Sequence, residues 1–151
     1  MGPFAGANRK SLLSVTGALE VATGFGLLLA PSIVIELLLG TAPGAPVGVT
    51  ISRVVGVAML TLGVACWLAR AETASGGAKG LVAAMLLYNV GVVTVLVLAR
   101  TSLAPVGIAF WPVVVAHTCL AAWCIAGLSM PALDVKRSQT KPVLTSWGRP
   151  K

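Results

Sequence analysis

The chain is 151 residues long, 57% apolar and only 10% charged, with a mean hydropathy of +0.95. Soluble domains average about 45–50% apolar and about 25% charged residues, so this composition indicates a membrane protein and excludes an ordinary soluble domain. The net charge of +7 does not indicate nucleic-acid binding, because the basic residues lie at the ends of apolar runs and in a tail, with no basic stripe.

Four apolar segments follow one another, each close to the roughly 20 residues that cross a bilayer core of about 30 Å. They comprise residues 11–30, 49–69, 80–99 and 107–129. Their hydrophobicity is continuous rather than alternating, which indicates helices and not β-barrel strands. Because the connectors are short, neighbouring helices are expected to run in opposite directions. The sequence therefore predicts an all-α integral membrane protein, a four-helix antiparallel bundle over residues 1–130, with a basic tail over residues 131–151.

A proline follows the first apolar segment directly. Pro31 is succeeded by residues 32–39, which are again mostly apolar. Proline in a helix interior removes a backbone hydrogen bond and kinks or restarts the helix. We therefore expect either a long, bent first helix or a first span followed by a short interfacial helix through Leu39, with Glu36 reaching the lipid headgroups.

Glu20 lies near the middle of the first span. A carboxylate at that depth costs about 2.5–3.5 kcal/mol on insertion scales, so its side chain is expected to face protein. At 100° per residue, Thr16, Gly17, Thr23 and Gly24 share its face. We predict that this polar, small-residue face points into the bundle.

Glycines recur at one spacing in the first two segments. Gly17 and Gly24 are seven residues apart, as are Gly56 and Gly63. Small residues on one helix face let membrane helices approach each other closely. The spacing predicts helix packing rather than gene duplication.

Arg53 lies near the outer end of the second segment, on a stripe with Gly56 and Gly63. The stripe favours a side chain that faces the bundle and forms an ion pair with Glu20 or Glu36. The alternative is an extended side chain that reaches the outer headgroups.

Polar residues of the third and fourth segments lie at the depth of Glu20. Tyr88 and Asn89 lie midway along the third segment and His117 midway along the fourth. If these faces converge, the four side chains form a central cluster of candidate ligand-binding residues, with Glu–His or Glu–Asn hydrogen bonds. For His117 the alternatives are a structural histidine, proton transfer or haem ligation. One histidine cannot build a multi-ligand zinc site, so no metal site is predicted and no cofactor is identified.

The three cysteines, Cys66, Cys119 and Cys124, fall inside apolar runs without a C-x-x-C spacing. Such cysteines usually pack as small apolar residues. A redox pair of Cys66 and Cys124, assisted by His117, is the alternative. No phosphate-binding loop or catalytic triad pattern is present, so the sequence favours a protein that is not an enzyme.

The distribution of basic residues predicts the orientation. Nine lie on one side of the predicted bundle: Arg9, Lys10, Arg70, Lys79, Lys136, Arg137, Lys141, Arg149 and Lys151. Only Arg53 and Arg100 lie on the other, so both termini are expected to be cytoplasmic. The last five of the nine belong to the tail, where anionic lipid attracts each basic residue by roughly 1 kcal/mol. They are candidate membrane-surface contacts, and a solvated tail is the alternative.

The stretch GFGLLLAP in the first segment is followed in the second by Arg53, Gly56, Ala58, Leu60 and Gly63. With these elements the chain resembles the DoxX-like group of small four-helix bacterial membrane proteins over its first two helices. The resemblance implies association with respiratory or quinone-linked membrane complexes.

Two functional hypotheses follow for a protein of the bacterial cytoplasmic (inner) membrane. The first is a non-catalytic accessory or structural subunit that packs against other membrane-protein chains, or against itself, through its glycine-rich faces and basic tail. The second is a small transporter or binder of an apolar, lipid or quinone-like molecule at the midplane polar cluster. Both require a lipid bilayer, and neither involves nucleic acid.

Overall fold

A computed structural model describes residues 3–103 and 105–129, and this part of the chain is all-helical, as predicted. It contains five helices: α1 (Pro3–Leu29), α2 (Pro31–Leu39), α3 (Ala45–Ala69), α4 (Gly76–Ala99) and α5 (Phe110–Ser129). The tail over residues 131–151 lies outside the described residues, and so do the surface contacts predicted for its basic side chains.

Four of these helices are long and apolar enough to cross a membrane. Their candidate spans are Ala7–Leu29, Pro46–Ala69, Gly76–Ala99 and Phe110–Ser129. This finding fits the prediction of four apolar membrane-spanning helices. α4 starts earlier than its apolar segment, because the Ser75 hydroxyl accepts a hydrogen bond from the backbone N–H of Ala78, 3.1 Å away, and caps the helix.

The break at Pro31 decides between the two alternatives for the first helix. α1 ends at Leu29, and Ala30 has a non-helical backbone with φ −136° and ψ 56°. α2 then begins at Pro31, where the missing N–H is tolerated in the first turn. It ends at Leu39 and is capped by Gly40, which has φ 78°. The prediction of a first span followed by a short helix through Leu39 is therefore confirmed. Glu36 is exposed on α2, and its contact with headgroups stays a prediction.

The glycines predicted to pack form the interface between α1 and α3. A Cβ atom added to Gly24 would lie 2.7 Å from the carbonyl oxygen of Gly56, and one added to Gly17 would lie 3.0 Å from that of Gly63. A side chain at Gly24 would force the backbones apart, and one at Gly17 would require a small shift, so glycine at both positions allows the close contact. Gly17 faces Gly63 and Gly24 faces Gly56, so the paired positions advance in opposite directions along the two helices.

Two apolar clusters hold the helices together on either side of the polar residues. The larger cluster draws on α1, α3, α4 and α5 and comprises Leu12, Leu13, Cys66, Val82, Met85, Leu120 and Cys124. The smaller contains Leu96, Phe110 and Val114, with Leu38 and Leu39 of α2 packed against it. The end of α2 also accepts a 2.9 Å hydrogen bond at the Leu37 carbonyl from the N–H of Ala109. α2 thus holds the segment just before α5 in place.

Large apolar side chains are exposed along the spanning helices. Leu68 of α3, Leu87 of α4 and Val115 of α5 are 70%, 75% and 58% exposed. This surface fits contact with lipid, because apolar side chains are stable in the hydrocarbon core without covering protein.

Candidate functional site

Four predicted site residues converge between α1, α4 and α5. The Tyr88 hydroxyl donates a 3.2 Å hydrogen bond to Oε2 of Glu20. Nδ1 of His117 lies 2.7 Å from Oδ1 of Asn89, and the rings of Tyr88 and His117 meet edge to face with centroids 5.7 Å apart. We call Glu20, Tyr88, Asn89 and His117 the polar cluster.

The pairing inside the polar cluster differs from the predicted one. Instead of a Glu–His or Glu–Asn bond, Glu20 pairs with Tyr88 and Asn89 pairs with His117. Tyr88 and Asn89 are neighbours on α4, so their side chains point about 100° apart. One therefore reaches α1 and the other reaches α5.

Burial makes these hydrogen bonds necessary. Glu20 is 3% exposed and Asn89 is fully buried. A buried polar group without a partner costs about 1–3 kcal/mol, and more when it is charged. The Asn89 amide nitrogen also donates a 2.7 Å bond to the Met85 carbonyl, one turn earlier in α4.

One hydroxyl beside the polar cluster has no partner. Thr16 lies one turn before Glu20 on the same face of α1, and its Oγ1 is the one fully buried side-chain N or O atom in the described ranges that forms no hydrogen bond. Most buried polar atoms in folded proteins have a hydrogen-bond partner, so Thr16 is an exception. The prediction that the polar face of α1 points into the bundle is confirmed for Gly17 and Gly24, which are buried. It is wrong for Thr23, which is exposed.

A shallow, open apolar groove of about 390 Å³ lies along α4 and reaches the polar cluster only at Tyr88. It is lined by α4 residues: Tyr88, Gly91, Val92, Val95 and Leu96. Tyr88 belongs to both the groove and the polar cluster. A molecule seated in the groove would therefore have its apolar part on the valines and one end at Tyr88.

Of the predicted ion-pair residues, Glu20 belongs to the polar cluster, whereas Arg53 and Glu36 do not. Arg53 and Glu36 are both exposed, whereas Glu20 is buried and bonded to Tyr88. The ion pairs of Arg53 with Glu20 or Glu36 stay predictions.

The cysteines occupy the apolar core and the helix surface. Cys66 and Cys124 are fully buried free thiols in the larger apolar cluster, and Cys119 is exposed on α5. Within residues 7–103 and 105–129, no group of three His, Cys, Asp or Glu side chains is arranged to hold a metal ion. The redox pairing of Cys66 with Cys124 stays a prediction.

The buried contacts of Arg9 were not predicted from the sequence, in which Arg9 counts only as a charge at one end of the bundle. The Arg9 side chain is 2% exposed, and its Nε donates a 2.9 Å hydrogen bond to the Gly127 carbonyl near the end of α5. A second guanidinium nitrogen donates a 3.3 Å bond to the Thr73 carbonyl in the α3–α4 connector. Asn8 accepts a hydrogen bond from the Trp123 indole. No spacing in the sequence signals these contacts, because their partners lie far along the chain.

Comparisons with known protein families, with curated proteins and with solved structures found no match to this chain. The function therefore has to be inferred from the geometry of the site.

Proposed function

We propose that this protein binds an apolar, quinone-like molecule inside the membrane, with the molecule's polar end at the polar cluster and its apolar part in the α4 groove. The observation that carries the proposal is the convergence of four polar side chains from three helices as two hydrogen-bonded pairs, whose Tyr88 and His117 rings touch, within helices apolar enough to span a bilayer. Ionisable residues at such positions are costly, and they commonly mark pathways or ligand sites.

The apolar groove on α4 supports the same proposal. It offers an apolar molecule a surface of valines with Tyr88 at one end, and Tyr88 also belongs to the polar cluster.

The proposal also includes the topology of the protein and the membrane in which it lies. The short connectors and the opposed glycine pairs support a four-helix antiparallel bundle. The excess of Lys and Arg on one side supports cytoplasmic termini. With the resemblance to the DoxX-like group, we place the protein in the bacterial inner membrane, with its basic tail on the cytoplasmic lipid surface.

A second candidate is the accessory subunit of a larger membrane complex. The spans of α3, α4 and α5 are each only 22% buried within the chain, which leaves wide apolar faces that another membrane protein can cover. Isolation in native-lipid nanodiscs tests this candidate. Stoichiometric co-isolation of a second membrane protein supports it, and a chain isolated alone from its source membrane counts against it.

The binding proposal is tested with a photoreactive azidophenol carrying a decyl chain, which has the ring and hydroxyl of a reduced quinone, added to the protein in nanodiscs. We expect cross-links mapped by mass spectrometry to α4 between Tyr88 and Leu96. Substitution of Glu20 by Gln or His117 by Ala should weaken binding about tenfold, the loss of one hydrogen bond of about 1.4 kcal/mol.

Thr94→Val is the matched control, because Thr94 is a polar α4 residue that is exposed and bonded only to its own helix, at the Val90 carbonyl. It should leave labelling unchanged. Cross-links spread over all exposed faces, equally in every variant, would contradict the binding proposal.

A further inference from the structure

The hydrogen bonds of Asn89 determine which nitrogen of His117 carries a proton. The Met85 carbonyl can only accept, so the Asn89 group 2.7 Å from it must be the amide nitrogen. The amide oxygen, Oδ1, then faces His117, with Nδ1 of the ring 2.7 Å away. An amide oxygen also only accepts, so Nδ1 must be the N–H donor.

The other ring nitrogen is then left as an acceptor. A neutral imidazole carries one N–H, and with that proton on Nδ1 the lone pair lies on Nε2. Among the described residues no hydrogen bond reaches Nε2 of His117. It also retains exposed surface, since Thr16 Oγ1 is the one fully buried and unpartnered side-chain N or O atom there. His117 as a whole is only half-buried.

We infer that Asn89 is a positioning residue that holds His117 in the Nδ1–H form, and that Nε2 accepts a hydrogen bond from a hydroxyl on the ligand. This inference rests on the proposed function and names the ligand's polar end. The Tyr88 hydroxyl is already committed to Glu20, so it does not offer its proton to an incoming carbonyl. The site therefore selects a phenol or hydroquinone hydroxyl over an end group that only accepts.

The preference for a hydroxyl arises because two hydrogen-bond acceptors that face each other repel. A ligand hydroxyl gains a hydrogen bond to Nε2, whereas an ether or carbonyl oxygen in the same place leaves two lone pairs facing each other in an apolar setting. A site that hydrogen-bonds a ligand hydroxyl therefore discriminates against an analogue that lacks the hydroxyl proton.

The first test uses the fact that His117 is the only histidine of the chain. With ¹⁵N-labelled histidine, the protein in nanodiscs at alkaline pH should give a single imidazole pattern with a protonated Nδ1 and an unprotonated Nε2. Asn89→Leu should shift the population towards the Nε2–H form. Tyr88→Phe, which removes a neighbouring hydroxyl but leaves the Asn89–His117 pair, should keep the wild-type pattern.

The wild-type spectrum is decisive even if Asn89→Leu does not fold. A ligand-free ring protonated at Nε2 overturns the inference, and so does a folded Asn89→Leu variant that keeps the wild-type pattern.

The second test compares a phenol carrying a decyl chain with its methyl ether, which has nearly the same shape and no donor. We expect the phenol to bind about tenfold more tightly, the value of one hydrogen bond of about 1.4 kcal/mol. Phenol binding should also move the Nε2 resonance in the direction expected of an acceptor, and His117→Ala should abolish the preference.

The tests of the hydroxyl preference and of the binding site can fail independently of each other. Equal, His117-dependent binding of phenol and ether overturns the hydroxyl preference and leaves the binding site standing. Binding of neither compound, with azidophenol labelling also insensitive to Glu20→Gln, overturns the proposed function itself.

Discussion

Arg9 and Lys10 are neighbours of equal charge with different surroundings. Arg9 is 2% exposed and bonded to two backbone carbonyls, while Lys10 is exposed. Arginine suits such a site, because its planar guanidinium presents several donors in a fixed fork and remains charged when buried. A single side chain thus ties the start of α1 to the end of α5 and to the α3–α4 connector.

Replacing Arg9 by Met should lower the free energy of unfolding by about 2–3 kcal/mol, because charge-assisted hydrogen bonds to buried carbonyls are lost. Lys10→Met removes the same charge from an exposed position and should change stability by less than about 0.5 kcal/mol. Unfolding in mixed micelles titrated with sodium dodecyl sulfate, followed by far-ultraviolet circular dichroism, measures both. Equal losses in the two variants would show that charge alone, and not the buried contacts, matters at this end.

The contact between α1 and α3 depends on glycines, because the absence of a side chain lets the two helices approach closely. At Gly24 the nearest atoms to an added Cβ would be the Gly56 carbonyl oxygen at 2.7 Å and Leu60 Cγ at 2.8 Å. Glu20 lies one turn before Gly24 on α1, so the close approach of α1 and α3 also positions Glu20. Packing of α1 on α3 therefore supports the polar cluster indirectly.

Gly24→Ala should destabilise the protein by about 1–3 kcal/mol, since the added methyl group forces the two backbones apart. Gly80→Ala is the control, because a Cβ there meets nothing within 4 Å and alanine favours the α4 helix by up to about 1 kcal/mol. The same micelle titration compares the two variants. A Gly24→Ala protein as stable as Gly80→Ala would contradict the close contact of α1 and α3.

On the scale of the whole molecule, the connectors define two ends of the bundle. Residues 41–44 lie between α2 and α3, and residues 71–75 lie between α3 and α4. The proposed orientation puts the first connector outside the cell and the second inside, because the second belongs with the nine basic residues.

Single cysteines in these connectors test the orientation. In a Cys119→Ala background, which removes the exposed native thiol, Ala42→Cys should react in intact cells with a membrane-impermeant maleimide. Ala74→Cys should react only after permeabilisation. Both alanines are exposed, so a difference reports the side of the membrane and not burial. The reverse pattern would invert the proposed topology.

Periodicity and composition alone determined the all-helical character, the four apolar helices, a kink or restart at Pro31 and the glycine faces. These features are local, because continuous apolar runs and a missing proline N–H act within a few residues. The depths of Glu20, Tyr88, Asn89 and His117 are equally local, since depth is a count along each helix.

Only the tertiary structure decided which partner each polar side chain takes. Helix rotation sends Tyr88 to Glu20 and Asn89 to His117, buries Arg9 against α5, and leaves Thr23 and Arg53 exposed. Rotation and helix pairing depend on close contacts between residues far apart in the chain, such as Gly24 with Gly56. Hydrophobic periodicity does not specify those contacts when lipid and protein interior are equally apolar.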